Sequence, residues 1–456
     1  MGQQEPPDQP METTMRPTRT TLIGLVFLAL FVGACTARTT PAGKPASPTA
    51  TAPDATASAL PPTSPDAWLA VGHRGVAGLE VILASTREKM IDLPTGVPAR
   101  NDWGRIFTAT AAGGETTIRD VVVEPGLGGP SVVIDGTWRM PTIGPDPLPV
   151  GLSADGSTLV LVEANVPAGS APGPTTRFAV LGAVPLKASA RVIELDGRFD
   201  YDAMSPNGAT LYVVQHLDSG EGGKYQVRAV DTATGKMAEG VIADKRNIEE
   251  QMAGYPLAQV RRQDGLVLTL YQGTRFAFIH ALNTAEGWAV CIDLPASGLD
   301  DSTAATDWGL APAPNGSSVY AVNATLGLVG EVDPAQLGLR RSASVKPLAG
   351  AEIVLAKFGH LAGGPTGRRV VVNPDGKTVY AAGPGGIMAL ESSTLKVSAT
   401  FEKGVAVDAL AVTPDGGTLF ALLRDGHIDK IDAATGTLLG TVPGDAYDRL
   451  VAVVPW

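Results

Sequence analysis

Apolar and polar positions follow one pattern through most of this chain. A short apolar run leads into Pro or Ala, then Asp-Gly or Asn-Gly, and then a second apolar run. "LSADGSTLVLVE" from Leu152, "MSPNGATLYVVQ" from Met204, "PAPNGSSVYAVN" from Pro312, "VNPDGKTVYAAG" from Val372 and "VTPDGGTLFALL" from Val412 are five copies, and "RRQDGLVLTLYQG" from Arg261 is a weaker sixth. Asp-Gly and Asn-Gly pairs favour tight hairpin turns because positive φ costs little there. Runs such as Val-Tyr-Ala and Leu-Phe-Ala suit extended strands. Each copy therefore predicts a hairpin. The turn glycines Gly156, Gly208, Gly265, Gly316, Gly376 and Gly416 recur at roughly 40–60 residues, about the length of a four-stranded unit.

The residues after each hairpin complete a set of four strands. After Gly416 come "GTLFALLRDG", "HIDKIDAATG" and "TLLGTVPG"; after Gly376 come "KTVYAAGPG", "GIMALESSTL" and "KVSATFEKG". No long amphipathic helical pattern separates the units, which argues for an all-β propeller rather than βαβ repeats. The hairpin "SPNGATLYVV" (205–214) followed by "VRAVDTATGK" (227–236), and "TPDGGTLFAL" (413–422) followed by "IDKIDAATGT" (428–437), resemble the YVTN-type or cytochrome-d1-like bacterial β-propellers. The resemblance spans most of residues 148–441. It implies the fold and leaves the activity open, because such propellers host enzymes as well as binding proteins.

The ends of the folded region predict how the ring closes. "GLEVILASTREKMIDLPTG" near the start parallels "GIMALESSTLKVSATFEKG", so residues 67–96 read as strands two to four of a blade lacking its first strand. The C-terminal "YDRLVAVVPW" (447–456) reads as that missing innermost strand. Completing the N-terminal blade with the C-terminal strand removes exposed sheet edges. Blades are then expected to begin near Arg105, Val150, Asp202, Ala258, Trp308, Arg369 and Asp408. With the shared blade the count is eight; a seven-bladed ring is the alternative, since residues 100–143 are the least regular.

Composition fits stacked sheets buried on both faces: of 456 residues, 44% are hydrophobic and 18% charged. The net charge of −11 and the lack of a basic stripe disfavour nucleic acid as a partner. The first 35 residues read as a lipoprotein signal peptide. Arg16 and Arg19 precede a short apolar run from Leu22 to Val32, which suits a signal peptide better than a membrane span. Val32-Gly33-Ala34-Cys35 resembles the bacterial lipobox, which implies lipidation of Cys35 and anchoring to the outer side of the cytoplasmic membrane. Residues 1–14 are unlike a signal-peptide start, so translation is expected to begin at Met15 or Met11. Residues 36–66, rich in Pro, Ala, Thr and Ser, read as an extended tether that reaches up to ~95 Å; residues 67–456 form the propeller, expected to be monomeric. Cys291 is the one other cysteine, so the mature domain has no internal disulfide.

Candidate chemistry is sparse. The five histidines show no zinc-like spacing, and no Cys-x-x-Cys-His haem site, Gly-x-Ser-x-Gly elbow or phosphate-binding loop is present. His280 and Cys291, set among apolar neighbours, read as packed core residues. Two features rise above this. Acidic residues recur where innermost strands begin, at Asp102, Asp200 with Asp202, Asp307, Asp408 and Asp448. Asp202, Asp307 and Asp408, from different blades, are candidate ligands for a calcium ion at the channel mouth, against the simpler reading that they solvate a wet mouth. The long insertions, 164–176, 216–226, 243–256 and 345–369, fall between strands two and three or between blades, on the face of that mouth. His216, Asp218, Lys245, Arg246, Glu249 and His360 on them are candidate ligand-binding residues. The Asp-Gly and Asn-Gly turns of the opposite face leave no room for a site. A surface-anchored, non-enzymatic propeller that binds a protein, glycan or small ligand is the leading expectation. A propeller hydrolase or lactonase, with a metal or acid/base group in the channel, is the alternative.

Overall fold

The Asp-Gly and Asn-Gly hairpins join the first two strands of a repeating four-stranded antiparallel sheet. The computed structural model describes residues 66–454 other than positions 75, 77, 94–95, 100–102, 123–127, 145–148, 165–174, 219–222, 244–251, 274–275, 297–305, 349–365 and 445. Eight such sheets succeed one another as propeller blades. Blade 1 combines Tyr447–Val454 with Trp68–His73, Leu79–Leu83 and Lys89–Leu93. Blade 2 runs through Gly96–Pro98, Arg105–Ala112, Glu115–Val122 and Ser131–Asp135; blade 3 through Trp138–Arg139, Thr158–Glu163, Thr175–Ala183 and Leu186–Asp196. Blade 4 holds Phe199–Met204, Thr210–His216, Lys224–Asp231 and Met252–Ala253; blade 5 holds Tyr255–Arg261, Leu266–Gln272, Ala277–Asn283 and Trp288–Asp293. Blades 6, 7 and 8 begin with the inner strands Trp308–Pro312, Val370–Val372 and Val407–Val412 and end at Ser344, Phe401 and Thr441.

Each blade buries both faces. Along Leu266–Gln272 every residue is buried; Leu266, Leu268 and Leu270 pack toward blade 6, whereas Val267 and Tyr271 pack toward blade 4. The period-two alternation of a strand therefore divides one apolar run between two joints. Eight hydrophobic clusters result, one at each joint. The cluster joining blades 8 and 1 is as continuous as the others: Phe420, Leu422 and Ile428 meet Leu69, Val71 and Ile82, with Tyr447 and Leu450 between them. The ring is closed by Tyr447–Val454, antiparallel to Trp68–His73, as expected.

Three boundaries differ from the expected ones. Blade 2 begins at Gly96–Pro98, and Arg105 opens its second strand; three residues without a hairpin signal were too little pattern to detect. The inner strand of blade 3 is broken. Trp138 and Arg139 pair with Glu163 and Val162, Leu152 pairs with Leu159, and the chain between them folds back through a Thr142–Pro149 bridge; Val150 thus lies in the strand's second half. The 243–256 insertion does not separate two blades. Met237, Ile242 and Met252–Ala253 all pair with Lys224–Asp231, so it interrupts the outer strand of blade 4.

One element has no counterpart in the sequence pattern. Thr366 and Gly367 pair in parallel with Arg449 and Leu450 of the closing strand. The Leu410 amide donates to the Arg368 carbonyl, and the Ala382 amide to that of Arg369. This segment thus stitches the inner strands of blades 8 and 1 before entering blade 7. A Cβ at Gly367 would collide with the Ala409 side chain and the Leu450 carbonyl, so the close approach needs glycine.

Candidate functional site: the channel-mouth face

Antiparallel blades send the connections between strands two and three, and between blades, to the face where inner strands begin. The acidic residues marked there by sequence do gather at inner-strand starts. Asp200 and Asp202 lie in Phe199–Met204, Asp307 immediately precedes Trp308–Pro312, Asp408 lies in Val407–Val412, and Asp448 lies in Tyr447–Val454. Asp202 and Asp408 occupy bulges, where Tyr201/Ala203 and Val407/Ala409 skip a partner. A bulge re-aims one side chain out of the ladder, which explains how a carboxylate enters an otherwise apolar strand. Asp102 lies outside the described residues.

Most of these carboxylates meet a cation. Asp408, 3% exposed, takes Arg424 Nη2 at 2.8 Å and Nε at 3.3 Å; this pairing raises the Arg424 pKa, with a further push from Asp307. Asp307 lies 3.4 Å from Arg369 Nη1 and accepts from Thr325 Oγ1 at 2.7 Å. Asp448 pairs with Arg449 Nε at 3.0 Å, and Arg449 Nη2 donates to the Val76 carbonyl. Asp200 Oδ2 sits 2.6 Å from His216 Nε2. Burial pushes the Asp200 carboxyl up, but the His216 contact and the charges of His216, Arg198 and Arg139 outweigh it and hold it below the ordinary range.

Asp202 is different. It is 1% exposed, its Oδ2 has no hydrogen-bond partner among the described residues, and burial lifts its pKa from 3.8 to about 7 against the pull of Arg261. Its backbone carbonyl accepts from Gln259 Nε2 at 3.0 Å, tying the inner strands of blades 4 and 5 together. Asp202, Asp307 and Asp408 thus come from blades 4, 6 and 8, two of them beside arginines. No three His, Cys, Asp or Glu side chains gather around a cation site among the described residues.

Of the candidate ligand-binding residues, His216 closes strand two of blade 4, and Asp218 beside it is exposed and accepts the Lys224 amide at 3.0 Å. Lys245, Arg246, Glu249, His360 and Cys35 lie outside the described residues.

The opposite face is not featureless. A cleft of about 340 Å³ opens between blades 6 and 7, lined among others by Asn315, Ser318, Tyr320, Glu331, Arg340 and Ser393. Adjacent Asn-Gly and Asp-Gly turns stand apart there, and side chains of strands three and four form the floor. Glu331, 2% exposed, is held by Arg340 Nη1 at 3.0 Å, Arg341 Nε at 2.7 Å and Ser318 Oγ at 2.7 Å. Burial raises its pKa, but these hydrogen bonds and charges bring it below the usual glutamate value. Arg341 also donates to the Ser392 and Ser393 carbonyls of blade 7. The floor groups are spent on one another, so the cleft reads as a polar seam joining two blades.

No protein-family model matches the chain, and no curated protein matches it in sequence. Solved structures do. Apo AztD from Citrobacter koseri aligns over 85% of this chain and 98% of its own, with 14% identity and a TM-score of 0.50. Dihydro-heme d1 dehydrogenase NirN in complex with DHE aligns over 86% and 76%, with 14% identity and a TM-score of 0.48. Sqt1 from Saccharomyces cerevisiae aligns over 76% and 84%, with 12% identity and a TM-score of 0.45. The AztD likeness supports the propeller fold and, at that identity, nothing finer.

Proposed function

We propose that this chain is an extracytoplasmic β-propeller of the YVTN-like kind, anchored through a lipid on Cys35, that binds a polar protein, glycan or small ligand without transforming it. The observation that carries the binding reading is the channel-mouth rim. Asp200–His216, Asp307–Arg369, Asp408–Arg424 and Asp448–Arg449 form a mixed-charge surface with hydrogen-bonding groups of both signs. Ion-paired carboxylates on a rigid ring suit recognition of a polar partner. They suit hydrolysis less, since a general acid or base must reach the substrate. Asp202, the one of these inner-strand acids lifted toward neutrality among the described residues, is 1% exposed.

The anchor is tested by fractionating cells that express Cys35→Ser: release into the soluble extracytoplasmic fraction is expected, and a variant that stays membrane-bound removes the lipid-anchor reading. The binding role is tested with a glycan array and with lactone substrates on the purified full-length protein. Saturable binding weakened by Asp200→Ala with His216→Ala supports the rim. Turnover of a lactone above background replaces the binding reading with the hydrolase one.

A further inference from the structure

The joint between blades 4 and 5 differs from the other seven in the chemistry it encloses. Three positions lie in a row across blade 5: Thr269 opposite His280, and His280 opposite Cys291. Side chains at directly opposed positions share a sheet face, with Cβ atoms ~4.5–5.5 Å apart. That face looks at blade 4, where Tyr225 stacks on Tyr271 at 5.1 Å and Tyr271 meets the His280 ring edge-on at 6.3 Å. From blade 4, Met252 reaches across so that its Sδ lies 4.0 Å from Cys291 Sγ. Cys291 is the one cysteine among the described residues.

We propose that Cys291, Met252 and His280 form a binding site for a soft monovalent metal ion, copper(I). A thiolate and a thioether are the side chains that select copper(I), and imidazole is a common third ligand. Two sulfurs each ~2.3 Å from one ion in trigonal coordination stand about 4 Å apart, which is the separation seen. Burial supports the arrangement. His280 is fully buried in the middle of the row, whereas Cys291 and Met252 are part-exposed at its outer end, so an ion has a path in. The stacked Tyr225, Tyr271 and Phe278 wall the site with apolar ring faces, which suits a weakly hydrated ion over a hard one. The site is independent of the channel-mouth reading and lies at a blade joint.

The test uses the full chain with Cys35→Ser, so that Cys291 is the sole thiol. Silver(I), a redox-inert stand-in, is titrated by calorimetry, and copper(I) is measured without oxygen in competition with bicinchoninate. One ion per chain is expected, lost in Cys291→Ser and weakened at least tenfold in Met252→Leu, a swap close in volume that preserves packing. X-ray absorption of the copper(I) form is expected to show two sulfurs and one imidazole nitrogen, which tests His280 without substituting a buried residue. Absence of binding overturns the proposal. So does binding that survives Cys291→Ser, binding that Met252→Leu leaves unchanged (an ordinary thiol), or a spectrum without imidazole.

Discussion

Replacing Asp202 by Asn is expected to flatten the protein's stability between pH 5 and 8. The folded-state pKa is about 7 against an ordinary 3.8, because burial outweighs the attraction of Arg261. Between those values the native state holds a proton that the unfolded chain has released, so stability falls as pH rises through the window. A shift of about three units at ~1.4 kcal/mol each gives a loss of roughly 4 kcal/mol once pH exceeds the folded value. Burial to 1% exposure and an unpartnered Oδ2 mean that little solvent screening reduces this figure. About two of those three units lie above pH 5, so roughly 3 kcal/mol of the loss falls between pH 5 and 8; spread over ~390 residues with an unfolding entropy of ~2.1 cal/mol/K each, it corresponds to about 3 °C in Tm. Carboxylates such as Glu331 and Asp200, whose pKa values are lowered, lose their stabilisation only at pH below this window; other groups set a common background, and the quantity to measure is therefore wild type minus variant. Calorimetric melts at pH 5, 6, 7 and 8 should show Asp202→Asn gaining on wild type as pH rises. Any constant cost of burying the amide cancels in that comparison. Parallel curves for the two proteins across the range would mean that Asp202 is solvated or ion-paired in solution, and would refute the reasoning.

Three other perturbations have expected outcomes. Deleting residues 447–456 is expected to unfold the ring rather than trim a tail, since Tyr447 and Leu450 fill the cluster between blades 8 and 1; a truncated protein with the parent's cooperative melt would show that closure lies elsewhere. Glu331→Gln is expected to lose about 2–3 kcal/mol in urea denaturation, because it leaves Arg340 and Arg341 facing a neutral group at the joint of blades 6 and 7; an unchanged midpoint would show the network is dispensable. Gly367→Val is expected to lower stability by about 1–3 kcal/mol through the clash with Ala409 and the Leu450 carbonyl, measured by the same denaturation; a neutral result would place residues 366–368 away from the inner strands.

The blades were legible because their signal is local. An Asp-Gly or Asn-Gly turn and the two strands it joins occupy about a dozen consecutive residues, and Gly156, Gly208, Gly316, Gly376 and Gly416 all take positive φ in the structure. Where that signal weakens, so did the reading. Gly96–Pro98 and Trp138–Arg139 are too short to carry alternation, and the outer strand of blade 4 is split by an insertion that looks like an inter-blade linker. The parallel pairing of Thr366–Gly367 with Arg449–Leu450 joins segments distant in sequence, and two residues leave no period to detect.

The chemistry was harder to see because each group's behaviour depends on a partner from another strand. Sequence marks Asp202, Asp307 and Asp408 alike, as acids at strand starts. In the structure Asp408 meets Arg424 and Asp307 meets Arg369 of the next blade, while Asp202 is drawn into a bulge and left protonatable near neutrality. The same residue type at the same kind of position thus becomes two ion pairs and one buried acid, and whether a neighbouring segment brings an arginine into contact decides which. Cys291 makes the point from the other side. In "WAVCIDLP" it reads as a small core residue, and Met252, 39 residues away, carries no signal at all. Only the outer strand of blade 4 folding back beside blade 5 places a thioether against the thiol, with an imidazole one strand over. Soft-metal chemistry needs three donors within a few ångströms and has no fixed spacing when they come from three strands of two blades; in a propeller such a site is written in the joint between repeats, where a search within any single repeat would not find it.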